Sequence, residues 1–252
     1  AKPAITTPVN YCQGATASAL SATASSGNSL RWYTTVGGTA SSTAPTPSTA
    51  SVGTTKYYVS QATNILGCEG PLDTITVNVN PLPSAPSATT PVNYCQNATA
   101  SALSATATSG NTLRWYTVPS GGTFSTTAPT PSTSTVGSTT YYVSQVTTAT
   151  GCEGSRTSIV VNVNPLPLAP SVTTPVTYCQ GNTASALTAT PASGSTLLWY
   201  TVISGGTGST TAPTPSTASA GSTTYYVSQV ITATSCEGPR AAITVVVNPT
   251  PG

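Results

Sequence analysis

Apolar and polar residues alternate with a period of two over short stretches of the chain. In "SALSATAS" (residues 18–25) Leu20, Ala22 and Ala24 fall on one face and Ser21 and Thr23 on the other. After the turn signal "SGN", the segment "SLRWYT" sets Leu30 and Trp32 against Arg31 and Tyr33. Such alternation predicts half-buried β-strands. A second pair follows in "TTKYYVSQAT" and "DTITVNV", joined by the turn "NILGCEGP"; in the latter strand Ile75, Val77 and Val79 alternate with Thr74, Thr76 and Asn78. Between the two pairs lies "GGTASSTAPTPST", where proline removes ladder donors, so short edge strands or extended coil are expected. No stretch carries a helical 3.6-residue period. Thr, Ser, Val and Tyr with frequent Pro and Gly punctuation predict an all-β, immunoglobulin-like sandwich.

The pattern recurs. "YYVSQ" stands at residues 57–61, 141–145 and 225–229, a period of 84 residues. Three units follow from it, 1–82, 83–166 and 167–252. The first two close with "NPLPSAP" and "NPLPLAP", and the third ends in "NPTP". Proline density of this kind holds a linker near polyproline II and semi-rigid. The expected architecture is therefore three tandem sandwiches in an extended rod. The one length change, "TTVGG" at 34–38 against "TVPSGG" at 117–122, falls where a surface loop tolerates it. The N-terminal "AKPAITTPVN" has no apolar signal-peptide core, and the chain reads as a mature piece of a longer protein.

Cysteines fall two per repeat: Cys12 and Cys68, Cys95 and Cys152, Cys179 and Cys236. The period favours pairing within each repeat, on the expectation that Cys12 begins the first strand and shares a pole with the turn that carries Cys68. Each bridge would close a loop of roughly 57 residues, contributing about 4 kcal/mol in the chain-entropy picture, and would imply an oxidising, extracellular or cell-surface setting. A zinc site is disfavoured, since the chain has no His and no closely paired cysteines.

Charge changes the picture mostly by exclusion. Charged residues are 4% of the chain and the net charge is +2, with no basic stripe for nucleic acid. No apolar run is long enough for a membrane-spanning helix. With no His and with Asp73 the only aspartate, neither a hydrolytic triad nor a pair of facing carboxylates can be assembled, so no enzyme activity and no cofactor are expected. Glu69, Glu153 and Glu237 recur in "CEG", but one carboxylate per repeat falls short of a calcium site. They read better as turn residues that accept backbone N–H bonds or pair with an arginine. Asn97-Ala98-Thr99 and Asp73-Thr74-Ile75 match N- and O-glycosylation patterns, yet neither recurs in the other repeats.

The period-two pattern assigns Tyr57 and Val59 to the core beside Leu20, Trp32 and Ile75, and turns Tyr58 and Ser60 outward. Arg31 and Tyr33 on the neighbouring strand would lie beside Tyr58. The second repeat offers Arg114, Tyr116 and Tyr142; the third offers Tyr200 and Tyr226, with Leu198 in place of the arginine. Two readings stand: half-exposed strand tyrosines with stacked arginines, or a contact face for sugar rings or another protein. Lateral or end-to-end self-association into fibres is a further expectation from the low charge.

The order "YCQG", "ASALSAT", "RWYT", "TAPTPST", "TYYVSQ", "GCEG" and "VNVNP" resembles the CHU_C-associated Ig-like domain family across all three repeats. The resemblance implies a spacer module of large secreted surface proteins of Bacteroidota, adhesins or polysaccharide-degrading enzymes exported by the type IX system. Neighbouring repeats are the partners so implied, while surface polysaccharide is a partner expected only from the outward tyrosines and arginines.

Overall fold

A computed structural model describes residues 1–251; Gly252, the last residue assigned to the third repeat, lies outside them. Each repeat contributes six strands. In the first these are β1 (Ala4–Ile5), β2 (Val9–Cys12), β3 (Ala22–Thr23), β4 (Asn28–Tyr33), β5 (Gly53–Thr63) and β6 (Asp73–Asn80). The second has β7 (Ser87–Ala88), β8 (Val92–Cys95), β9 (Ala105–Thr106), β10 (Asn111–Tyr116), β11 (Gly137–Thr147) and β12 (Thr157–Asn164). The third has β13 (Ser171–Val172), β14 (Val176–Cys179), β15 (Ala189–Thr190), β16 (Ser195–Tyr200), β17 (Gly221–Ile231) and β18 (Ala241–Asn248). There is no helix among the described residues.

Packing groups these residues into two compact units, and the division runs through the second repeat. The first unit holds residues 1–89, 104–128 and 141–159; the second holds 90–103, 129–140 and the described residues from 160 onward.

In the first unit, β1 pairs antiparallel with β3 as a small sheet, and β2-β6-β5-β4 form a larger one. The chain passes between the sheets at Thr7-Pro8, a cis peptide bond. Beyond it β2 lies parallel to β6, with Val9 opposite Val77 and Cys12 opposite Asn80. Strands β4, β5 and β6 are antiparallel, as their turn-linked alternation predicts. Leu20, Trp32, Val59, Ile75 and Val77 form the buried core, and Tyr57, Tyr11 and Leu30 pack against it half-buried. The proline-rich segment bridges the sheet only at Ser41, opposite Trp32. It is otherwise coil tied down by single bonds, such as Leu20 N–H to Pro45 O at 2.9 Å.

The second unit repeats these features. Strands β14-β18-β17-β16 make the large sheet, with β14 parallel to β18 and Cys179 opposite Asn248. Leu187, Trp199, Val227, Ile243, Val245 and Val247 fill the core. In the same unit β8 runs parallel to β12, with Cys95 opposite Asn164.

The last letter of "YYVSQ" has a role that alternation alone misses. Gln61, Gln145 and Gln229 are buried on the core side at one pole of each repeat. Each side-chain oxygen accepts from a backbone N–H of the turn before β4, β10 or β16: Ser25 at 2.7 Å, Thr108 at 2.8 Å and Ala192 at 2.6 Å. Each amide donates to a carbonyl of the segment entering the repeat: Ala1 at 3.1 Å, Ser84 at 2.7 Å and Leu168 at 2.7 Å. The glutamine thus fastens the incoming chain to its own sandwich. Gln145→Leu keeps the volume but removes both of these part-buried bonds, so the intact chain should lose about 1–2 kcal/mol in urea unfolding; an unchanged midpoint would show that water replaces both bonds.

Candidate functional site

Every residue of "CEG" meets a neighbour that the repeat pattern alone does not reveal. The cysteines come first. Cys12 is bonded to Cys152 and Cys95 to Cys236, with Cα–Cα distances of 5.5 Å in both. Cys68 and Cys179 are free and exposed. The bridges therefore join successive repeats, and the expected pairing within repeats is corrected. The reason is the direction of β2. Cys12 ends that strand opposite Asn80, at the pole where β6 leaves the sandwich, whereas Cys68 precedes the start of β6. A strand of this length spans roughly 23 Å, against a limit of about 7 Å between Cα atoms for a disulfide. Within the first unit, the cysteine ending β2 reaches the turn between β11 and β12; within the second, the one ending β8 reaches the turn between β17 and β18.

The glycine of "CEG" lies against the incoming linker. A Cβ on Gly154 would stand 2.1 Å from Pro83 O, and one on Gly238 would stand 2.3 Å from Pro167 O. Only glycine lets the linker lie this close to the stapled turn.

The glutamate is the centre of a polar cluster on the sheet face opposite the core. Tyr33 Oη and Ser60 Oγ both donate to Glu69 Oε1. In the second repeat Tyr116 Oη and Ser144 Oγ, the latter at 2.5 Å, donate to Glu153 Oε1, while Arg114 Nη1 pairs with Oε2 at 2.8 Å. In the third, Tyr200 Oη and Ser228 Oγ each donate to Glu237 Oε1 at 2.6 Å. The hydrogen bond from Ser60, then that from Tyr33, holds the Glu69 carboxyl below its ordinary range. Burial pushes Glu153 up, but Ser144, Tyr116 and Arg114 together outweigh it and the net shift is downward. Burial, followed by the bond to Glu237, raises the Tyr200 phenol; Tyr33 is raised likewise beside Glu69.

This cluster alters the expected contact face. Tyr33, Tyr116 and Tyr200 are on the outward side, as alternation predicts, but only 9%, 5% and 6% exposed. They are consumed by the glutamate and, in two repeats, by an arginine that the pattern did not single out. Arg156 stacks over Tyr116 and Arg240 over Tyr200, each 3.3 Å from the ring centroid. Each guanidinium also donates to the loop after β10 or β16: Arg156 to Val118 O and Gly121 O, Arg240 to Val202 O and Gly205 O. The first repeat has Leu72 at this position, together with the loop that is one residue shorter. The arginine and the longer loop go together, and that co-occurrence was the available signal. Tyr58, Tyr142 and Tyr226 are half-buried, paired across the strands with Tyr33, Tyr116 and Tyr200. Arg114 also covers Phe124, 4.1 Å from its ring centroid, whereas the third repeat has Leu198 and Gly208 at the two positions.

Asn97, of the sequence that matches a glycosylation acceptor, has φ 62°, and Gly14 and Gly181 hold the matching left-handed positions with φ 77° and 82°. Asparagine tolerates that conformation better than other side chains do, which accounts for its presence there.

Because Glu153 has a lowered pKa when folded, its stabilisation is present above the unfolded value near 4.3 and is lost as pH falls through the folded value. Glu153→Gln should therefore cost roughly 1–2 kcal/mol at neutral pH, and the gap from the parent should close below about pH 4. Urea midpoints measured across pH 3–7 check this; a gap that persists at low pH would exclude the carboxylate as its source.

Among solved structures the chain is similar to an I-band fragment of titin, at 14% identity and TM-score 0.37, covering 99% of this chain and 97% of that one. It is similar to immunoglobulin domains 1–4 of Sidekick-1, at 14% identity and TM-score 0.24, covering 98% and 74%. It is also similar to the SGBP-B protein of a Bacteroides ovatus mixed-linkage glucan utilization locus, solved in complex with a mixed-linkage heptasaccharide, at 14% identity and TM-score 0.22, covering 97% and 66%. No curated protein matches the chain. The family described as "Ig-like domain CHU_C associated" matches three times, over residues 1–81, 83–165 and 167–249. With almost its whole length so matched, the chain belongs to the CHU_C-associated Ig-like domain family as a tandem of three members.

Proposed function

We propose that the chain is a structural and adhesive repeat segment of a large extracellular surface protein, a spacer whose junctions are held by disulfides. The observation behind this reading is that both bonds link one repeat to the next instead of closing a loop within one. A bridge of that kind restrains the hinge between modules, a restraint that a spacer needs and a solitary binding domain does not. Two disulfides also favour an oxidising setting outside the cytoplasm. The tandem of near-identical repeats supports a part in which length matters more than variety. An extended rod or surface filament, and export by the type IX system, are the finer forms of the same proposal; the second is carried by family resemblance alone.

Carbohydrate or protein binding is the alternative reading. It has a cleft of about 420 Å³ beside Trp32 and Tyr33, floored by Thr34, Thr39, Ser41 and Thr43, in its favour. Against it, the tyrosine faces are largely occupied by their own repeats.

Opening Cys12–Cys152 by Cys12→Ser should leave both sandwiches folded while widening the distribution of distances between spin labels placed on the first and second repeats. An unchanged, narrow distribution would remove the staple from the spacer reading. On polysaccharide columns the parent chain should pass without saturable retention, and retention abolished by Tyr58→Ala would favour the alternative.

A further inference from the structure

Tension along this chain has more than one covalent route to follow. Between Cys12 and Cys236 the main chain is the longest. Another runs through both bridges: from Cys12 across to Cys152, backwards along the chain to Cys95, and across again to Cys236. The backward stretch is about 57 residues and at most roughly 200 Å when drawn straight, against about 224 residues and roughly 780 Å for the main chain. A load is carried by the route that is drawn straight first. The route through both bridges therefore sets the limit, and the others stay slack.

The proline linkers are on the slack side. "NPLPSAP" at 80–86 and "NPLPLAP" at 164–170 both lie outside residues 95–152. Side chains fasten them to the repeats they enter: Gln145 Nε2 to Ser84 O at 2.7 Å, Thr157 Oγ1 to Pro86 O at 2.5 Å, and Gln229 Nε2 to Leu168 O at 2.7 Å. Hydrogen bonds of this kind yield long before a covalent sulfur–sulfur bond does.

The stretch that bears the load is the most heavily fastened of its kind. It contains β10 and β11, paired antiparallel from Asn111 opposite Thr147 to Tyr116 opposite Tyr142. Arg114 ties β10 to Glu153 at 2.8 Å, just past the bridging Cys152. Arg156 holds the loop after β10 through Val118 O and Gly121 O at 2.6 and 2.8 Å. Neither of the other repeats has an arginine at both positions: Arg31 goes with Leu72, and Leu198 with Arg240.

We propose that the overlapping bridges are a device that limits extension under tension. They carry the load past the proline linkers and through the second repeat in reverse, from Cys152 to Cys95. The chain thus stretches to a short, fixed limit, at which residues 13–94 and 153–235 are slack. The proposal deepens the spacer reading, on which it rests for a source of tension.

The test pulls the whole chain between peptide tags at its two ends, with free thiols alkylated and no reductant, and reads the final contour length. The parent should stop at about 300 Å beyond the handles, and Cys12→Ser or Cys95→Ser alone should each add about 90 Å. The double variant should add about 580 Å and reach the full length of the chain, roughly 880 Å. That excess over the sum of the single effects comes from overlap, since loops closed side by side lengthen the chain independently. Additive increments would overturn the proposal. A protease site placed in the 164–170 linker and cut before pulling should leave the parent's final length unchanged, whereas rupture at low force would show the linker bearing the load. Failure of these lengths leaves the spin-label and column tests of the spacer reading standing, and a chain that keeps the lengths but is retained on polysaccharide loses the spacer reading alone.

Discussion

The parallel pairing of β2 with β6 is the constraint on which the rest of the arrangement depends. Val9 to Cys12 follow the last strand toward the exit of the sandwich, so the first cysteine of each repeat is delivered to the pole where the chain leaves. The second cysteine is held at the entry pole by the turn between the two long antiparallel strands. No rotamer or loop adjustment can bring ends separated by a whole strand together. Bonding must therefore look outward, to the repeat that comes next.

Around that turn three consecutive residues have three separate structural assignments. The cysteine binds the previous repeat, the glutamate gathers a tyrosine and a serine from its own sheet, and the glycine lets the linker lie flat against it. The buried glutamine of "YYVSQ" fixes the same linker from the core side. Entry pole, linker and preceding repeat thus form one connected structure.

Much of the fold was legible because it rests on period-two patterning. Leu20, Trp32, Val59 and Ile75 reach the core as their alternation requires, and the proline-rich middle segment forms almost no ladder. What was not legible was the sense of a four-residue strand, since alternation is the same whether a strand pairs parallel or antiparallel. That single ambiguity reversed the position of Cys12 and with it the whole bonding scheme. The covering of Tyr33, Tyr116 and Tyr200 was illegible for a related reason: facing away from the core is set by parity, but being uncovered is not. Tyr116 obeys the first and violates the second because Arg156, forty residues further along the chain, folds back over its ring.

The two bonds overlap along the sequence, one spanning residues 12–152 and the other 95–236. Any single peptide bond broken between residues 12 and 236 consequently leaves fragments that stay covalently attached through one bridge or the other. A chain so connected can be nicked by a protease in any linker or loop of that region without falling into two pieces, which takes a second cut or reduction.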